Sequence, residues 1–480
     1  MNDNVNASFQ FGMIGLGTMG RNLLLNMADN GFSVSGFDKN EKMVQLLESE
    51  GAEHHLKGYT DIHLFIAALQ RPRKLILLVP AGPIVDSVIA ELEPLLEQGD
   101  ILIDSGNSYF GDTARRADAL HQKGFHFFGM GISGGEEGAR FGPSLMPGGD
   151  KEAYQAVKPM LEAVSAKVNG APCVSYIGPG ASGHFVKMTH NGIEYAIMEL
   201  LAETYDILKN GMGYDNNQMA ALFEKWNTGR LNAFLMEITA EVFRFRDEET
   251  GAMLLDQIKD EARSKGTGKW TSQIAMDLEV PIPVIDAAVS QRNLSKLKGL
   301  RVGLSASRED SASREGRTAS THLDLRDDEL EAAFFFAMVS AYAQGIHLLA
   351  EASSQYGYQL QMAEIAKIWR GGCIIRASFL EDIYQAYLRQ ADLAHLFADR
   401  DIAQKLEKSL AAAKKVITQS LQGGLGIPAF AATLAYYESI HTARMSSNLT
   451  QAQRDLFGAH TFERLDREGI FHAHWKTNQA

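Results

Sequence analysis

Cysteine is nearly absent. Only Cys173 and Cys373 occur among 480 residues, and no metal-ligand spacing surrounds either, so neither a disulfide framework nor a zinc site is indicated. A reducing cytoplasm is the expected compartment. Basic charge is in deficit as well: 46 Lys and Arg stand against 59 Asp and Glu, and the net charge of −13 is the wrong sign for a protein that lives on nucleic-acid phosphates. An anionic small molecule must then be met by particular Lys and Arg residues focused in a cleft. The stretch 1–10 has neither a basic nor an apolar region, so no export signal is expected. One uncharged run, 332–350, nearly reaches membrane-spanning length. It contains Ser340, Gln344, Gly345 and His347 and is flanked by Asp327, Asp328, Glu329, Glu331 and Glu351 rather than by cations. A buried central helix is expected there, and no membrane partner.

What is present is an ordinary globular composition, 45% hydrophobic and 22% charged. The length allows about two to four domains. From Phe9 to Asp38 a short apolar run, a glycine-rich turn, an amphipathic segment and a second apolar run follow one another, which is a βαβ unit. Further strands are expected at 74–79, 101–103 and 125–129, with helices between them, so residues 1–180 read as a mostly parallel, doubly wound Rossmann-like sheet. Residues 181–444 read as an all-helical domain. Within it Gly213, Tyr214, Trp226, Gly229, Phe234, Leu235 and Ile238 are echoed by Gly357, Tyr358, Trp369, Gly372, Phe379, Leu380 and Ile383, the mark of a duplicated half. A polar loop is expected at 305–321, and a polar tail at 445–480 that must dock to be ordered.

The turn Gly15-Leu16-Gly17-Thr18-Met19-Gly20 follows a strand and opens a helix, the context that makes G-x-G-x-x-G a dinucleotide site. Asp38 ends the second strand where a ribose-binding acid is expected, favouring NAD, while Lys39 pulls the other way. If the stretch 183–195 is helical, Lys187, His190, Asn191 and Glu194 fall at i, i+3, i+4 and i+7, so a base, an acid and two polar groups share one face. Exposed helices carry such stripes too. Here, however, two polar turns, 104–108 and the glycine-rich 132–140, fall at strand carboxyl ends, on the edge where open α/β sheets bind ligands.

With these motifs the chain resembles the decarboxylating 6-phosphogluconate dehydrogenases of the pentose phosphate pathway over essentially its whole length. The matching stretches are 15–20, 104–108, 133–149 (SGGEEGARFGPSLMPGG), 183–195, 265–271 (KGTGKWT), Gln291-Arg292 and 454–463 (RDLFGAHTFE). The resemblance implies oxidation of 6-phosphogluconate at C3, loss of carbon dioxide and formation of ribulose 5-phosphate, with Lys187 as general base and Glu194 as general acid. It implies that Asn107, Ser133, Gly134, Gly135, His190 and Asn191 hold the sugar acid, and that Tyr195, Lys265, Thr267, Arg292, Arg454 and His460 hold its phosphate. Arg454 and His460 would come from the tail of a partner subunit in a homodimer. The cofactor would lie on Gly15, Leu16, Gly17, Thr18, Met19 and Gly20, with Asp38, Lys39, Asn40, Val79, Pro80, Ala81 and Asn107 around it. Two departures stand out: most of the family carries Asn-Arg-Thr where this chain has Asp38-Lys39-Asn40, and Val-Lys-Ala-Gly where it has Val79-Pro80-Ala81-Gly82. The family default is NADP, and the local chemistry leans to NAD. The alternatives are another β-hydroxyacid dehydrogenase or a catalytically silent dinucleotide-binding protein.

Overall fold

The computed structural model describes residues 8–314 and 322–475. Its first part is a seven-stranded sheet of β1 (Phe11–Ile14), β2 (Val34–Phe37), β3 (Leu56–Tyr59), β4 (Lys74–Leu77), β5 (Ile101–Asp104), β6 (His126–Ser133) and β7 (Ser144–Gly149), in the order β3-β2-β1-β4-β5-β6-β7. The first six strands are parallel, and β7 returns antiparallel to β6. Strands β1 and β5 are buried along their whole length, which is why they read as unbroken apolar runs. Helices α1 (Thr18–Asp29), α2 (Glu41–Glu50), α3 (Ile62–Ala67), α4 (Pro83–Leu92), α5 (Phe110–His121), α6 (Gly135–Phe141) and α7 (Lys151–Val164) cover the two faces. The chain reverses direction across the sheet between β1 and β4, so the crevice beyond their carboxyl ends is the natural ligand site.

One detail differs from the sequence expectations, and one strand was not anticipated. Ile132 and Ser133 still belong to β6, and the presumed glycine-rich loop is mostly helix α6. The segment 144–149 (SLMPGG), with a proline and two glycines, forms the edge strand β7, a position that tolerates a missing backbone donor.

The helical part consists of α8 (Ser182–Asp206), α9 (Asn216–Asn227), α10 (Phe234–Arg244), α11 (Thr267–Asp277), α12 (Pro283–Ser295), α13 (Lys298–Arg314), α14 (Asp327–Tyr356), α15 (Met362–Trp369), α16 (Phe379–Arg389), α17 (Arg400–Gln422), α18 (Pro428–Ile440) and α19 (Ser447–Gly458). The echoed residues occupy corresponding places: α8 leads into the pair α9 and α10 as α14 leads into α15 and α16. Helices α12 and α18 both open with a proline after an isoleucine, Ile282-Pro283 and Ile427-Pro428. The two halves touch through an antiparallel bridge between Ala233 and Ala377. Helix α14 is apolar enough to cross a membrane, yet 89% of its most hydrophobic window is buried in the protein. The expected loop at 305–321 needs correction in its first part, because α13 runs through to Arg314; residues 315–321 lie outside the described residues. The tail is not merely polar either: α19 and a short antiparallel pair, Phe462–Glu463 with Ile470–Phe471, expose Leu449, Leu456, Phe457, Leu465 and Ile470.

Helix α8 joins the two parts by lying on the β6–β7 edge at backbone contact. A Cβ at Gly183 would stand 2.4 Å from the carbonyl oxygens of Gly129 and Met146 and 2.7 Å from the Gly148 nitrogen. A Cβ at Gly131 would stand 2.3 Å from the Cβ of Lys187. Only hydrogen fits at these crossings. Gly183→Ala therefore pushes α8 off the sheet, with an expected loss of about 1–3 kcal/mol of stability, read as a lower denaturant midpoint. An unchanged midpoint would show that the crossing has slack.

Candidate active site

At the first site, strand β1 ends at Ile14 and Gly15 turns the chain with φ 95°. A Cβ at Gly20 would fall 1.9 Å from the Gly15 oxygen, so α1 can start tight against the strand only with glycine there. Gly17 has no protein atom within 4 Å of its would-be Cβ, leaving the backbone open to a ligand. These residues fit a dinucleotide: an open turn, the N-terminus of α1 and, beside them, a groove of about 470 Å³ lined by Ile14, Gly15, Gly17, Phe37, Asp38, Lys39, Val79, Pro80, Ile84 and Glu91 among others. Leu16 is buried, and its N–H donates to Asp38 Oδ2 at 2.8 Å. Asn40 caps α2 through its side chain, which accepts from the Lys42 N–H, so it is held as a helix cap.

A second cleft, of about 390 Å³, adjoins the turn through Met19. Met19, Asn107, Ser133, Gly134, Gly135, Lys187, Asn191, Glu194, Tyr195, Lys265, Thr267 and Arg292, all expected from the sequence, line this one cleft. Asn107 is presented by the turn after β5, where buried Asp104 accepts from the Gly106 N–H and the Ser108 hydroxyl. Sequence reasoning missed Arg263, Ser264 and Ile374. The first two directly precede the 265–271 motif. Ile374 comes from the second helical half, whose Gly372 packs against Gly134 and Gly142. No local signal could have placed it.

The stripe on α8 is not a solvated face. Lys187 is 6% exposed, His190 fully buried and Asn191 buried. Burial pulls the Lys187 ammonium below its ordinary pKa, against the opposing pull of Glu194 and Cys373. Burial likewise pushes the Glu194 carboxyl up, against Lys187 and Arg292. The Lys187 Nζ makes no hydrogen bond or ion pair with any described residue, which leaves it available to a ligand. His190 sits beneath the cleft: Nδ1 is 3.0 Å from Asn191 Oδ1, and Nε2 is 3.1 Å from Ser133 Oγ and 3.3 Å from Cys373 Sγ. Burial and the nearby Lys187 hold it well below the usual histidine range, hence neutral, while burial raises the Cys373 thiol to about 12. A neutral His190 donates from Nδ1 to Asn191, and its Nε2 accepts from the Ser133 hydroxyl or the Cys373 thiol. That leaves the Asn191 NH₂ group for the cleft.

At the far end, the Arg292 guanidinium carbon lies over the Tyr195 ring, 3.4 Å from its centre, and Lys265 and the N-terminus of α11, which Gly266 opens with φ 100°, line the same cleft. Helix dipole, ammonium and guanidinium converge there into an anion cradle. Arg454 and His460 do not line this cleft. They project from the tail, where Asp455 ties the segment together by accepting from the N–H groups of Thr461 and Ala473, from Trp475 Nε1 and from His472 Nδ1.

The fold and the paired groove and cleft define a nicotinamide-dinucleotide dehydrogenase architecture, and comparison with known proteins narrows it. Residues 10–178 match the model of the NAD binding domain of 6-phosphogluconate dehydrogenase, and 183–475 match that of the 6-phosphogluconate dehydrogenase C-terminal domain. A Bacillus subtilis relative described as 6-phosphogluconate dehydrogenase, NADP(+)-dependent, decarboxylating, is 46% identical, covering 97% of this chain and 99% of its own. An Escherichia coli 6-phosphogluconate dehydrogenase, decarboxylating, is 43% identical over 97% and 99%. The Plasmodium falciparum 6-phosphogluconate dehydrogenase structure superposes with a TM-score of 0.92 at 40% identity, covering 97% of this chain and 100% of that one. The chain belongs to the 6-phosphogluconate dehydrogenase family.

The depressed Lys187 has a consequence for stability. Between its folded pKa and the unfolded value of 10.5 the unfolded chain binds more protons, so stability rises with pH across that window. Below the window the buried charge is a standing cost. Lys187→Met is therefore expected to raise the unfolding midpoint at neutral pH. A lowered midpoint would mean that the ammonium is stabilised rather than desolvated.

Proposed function

We infer that the protein catalyses the oxidative decarboxylation of 6-phosphogluconate to ribulose 5-phosphate and carbon dioxide, a step of the pentose phosphate pathway. The observation that carries the reading is a buried Lys187 and a partly buried Glu194 on one face of α8, between a dinucleotide groove and an anion cradle. The cradle of Tyr195, Lys265, Thr267 and Arg292 holds the phosphate, and Asn107, Ser133, Gly134, Gly135 and Asn191 hold the sugar acid, with His190 fixing Ser133 and Asn191 from below.

When bound on Gly15 to Gly20, the nicotinamide dinucleotide supplies the acceptor for the C3 hydride. Neutral Lys187 takes the C3 hydroxyl proton as that hydride leaves, giving a carbonyl at C3. The resulting Lys187 ammonium then donates a hydrogen bond to the carbonyl oxygen. The C1–C2 bond breaks, carbon dioxide departs, and the electron pair moves through C2 to the oxygen on C3, where Lys187 returns its proton to give an enediol. Glu194, whose proton affinity burial raises, delivers a proton to the carbon that lost the carboxylate, C1 of the pentose product, while Lys187, again neutral, takes back the proton of the C3 hydroxyl and the enediol collapses to the ketone.

The tail belongs to the same proposal. Arg454 and His460 serve the phosphate site of a partner subunit in a homodimer, an arrangement supported by the lining of their own cleft, to which neither contributes, and by the exposed apolar residues Leu294, Leu297, Leu300 and Leu304 and, on the tail, Leu456 and Phe457. A cytoplasmic location accords with two free, buried cysteines.

Steady-state assays with 6-phosphogluconate, following nucleotide reduction and carbon dioxide together, test the reaction. Coupled release of both is expected, and reduction without carbon dioxide would refute the decarboxylating half. Lys187→Ala is expected to cut turnover at least about a hundredfold while sparing dinucleotide binding. Near-normal turnover would remove Lys187 as the base. Mixing inactive Lys187→Ala with Arg454→Ala subunits is expected to restore one intact site per mixed dimer, since each chain supplies what the other lacks. No recovery on mixing would place Arg454 in its own subunit's site or outside the mechanism.

A further inference from the structure

The groove beside the dinucleotide turn carries a charge pattern that the reaction chemistry does not use. Asp38, at the end of β2, is held by two backbone donors: Oδ2 accepts the Leu16 N–H at 2.8 Å and Oδ1 the Asn40 N–H at 2.9 Å. Its carboxylate cannot swing away without leaving two amides unpaired, one of them in the turn itself. Lys39 is the one cation among the residues lining the groove, and its Nζ is paired with Glu91 Oε2 at 2.8 Å. Glu91 stands on α4, 52 residues further along the chain, and lines the same groove. Two carboxylates thus face one ammonium where an adenine ribose would lie. Around them the groove offers Pro80, without a backbone N–H, and on α4 itself the apolar Ile84 and Val88.

Resting on the reading that this groove takes a nicotinamide dinucleotide, we propose that the enzyme is selective for the unphosphorylated dinucleotide, NAD, and that Glu91 is a specificity-determining residue together with Asp38. Asp38 accepts the ribose hydroxyls and repels a 2′-phosphate, which carries up to two negative charges. Glu91 closes the remaining route. By pairing with Lys39 it withdraws the one ammonium that could neutralise that phosphate, and it adds a second like charge. The pair is exposed, Lys39 to 71%, so it is weak and replaceable. Selectivity here is thus adjustable by a single charge at α4.

Titration calorimetry of NADH and NADPH into the substrate-free protein tests this directly. Wild type is expected to bind NADH at least about tenfold more tightly. Glu91→Gln is expected to tighten NADPH binding and leave NADH nearly unchanged, narrowing the ratio, and Asp38→Asn to narrow it further while weakening NADH. Equal or tighter binding of NADPH by wild type would overturn the proposal, and an unchanged ratio in Glu91→Gln would strip that residue of its role. A parallel assay with 6-phosphogluconate separates the two claims. NADH-selective binding without turnover sinks the assigned reaction and leaves the selectivity standing, whereas turnover with NADP preferred does the reverse.

Discussion

Everything in the active centre depends on how closely α8 can approach the sheet. A helix ordinarily packs on a sheet through a layer of side chains; here Gly129, Gly131 and Gly148 on the β6–β7 pair face α8 and its Gly183, and that layer is removed. The consequence is geometric and electrostatic at once. With no side chains between, the first turns of α8 sink into the protein, so Lys187 and His190 lie buried at the carboxyl edge of the sheet, where the dinucleotide turn also opens. An α8 set further out would place the same residues in water, where lysine and glutamate keep their ordinary proton affinities.

Desolvation then does the chemical tuning. It moves Lys187 and Glu194 in opposite senses, towards a neutral amine and a protonated acid, while their mutual attraction limits both shifts. The polar groups beneath them are satisfied internally: His190 links Ser133, Asn191 and Cys373, three residues contributed by the sheet, α8 and the second helical half. The duplicated half thereby has a role in the first half's site, since its 371–374 turn supplies both Cys373 and Ile374. In a chain of net charge −13, the cations that matter are gathered at one end of the cleft, Lys265 and Arg292 with Arg263 beside them.

Much of this was legible in the sequence because it is encoded locally. The turn at Gly15 to Gly20 and the i, i+3, i+4, i+7 spacing on α8 each need only a few consecutive residues, and the family resemblance added the long motifs that link them. Features built by distant residues were not legible. No strand was expected at 144–149, since only pairing with β6 makes Pro147, Gly148 and Gly149 part of one. Cys373 showed no ligand spacing in the sequence, and only the fold sets it against His190 from 183 residues away. The Lys39–Glu91 pair spans 52 residues and left no pattern to read. The tail looked polar because its apolar residues are scattered in sequence and gather on one exposed module only after Asp455 folds it.

The central claim is that the glycine-lined seat delivers a lysine whose amine is readily neutral. Direct NMR titration of the Lys187 side-chain amine, labelled at Cε or Nζ and assigned with the Lys187→Met variant, measures that property. The account predicts a titration midpoint below the ordinary lysine value of 10.5. A midpoint at or above that value would contradict it, because Lys187 would then be an ordinary cation and could not take the substrate's proton at neutral pH.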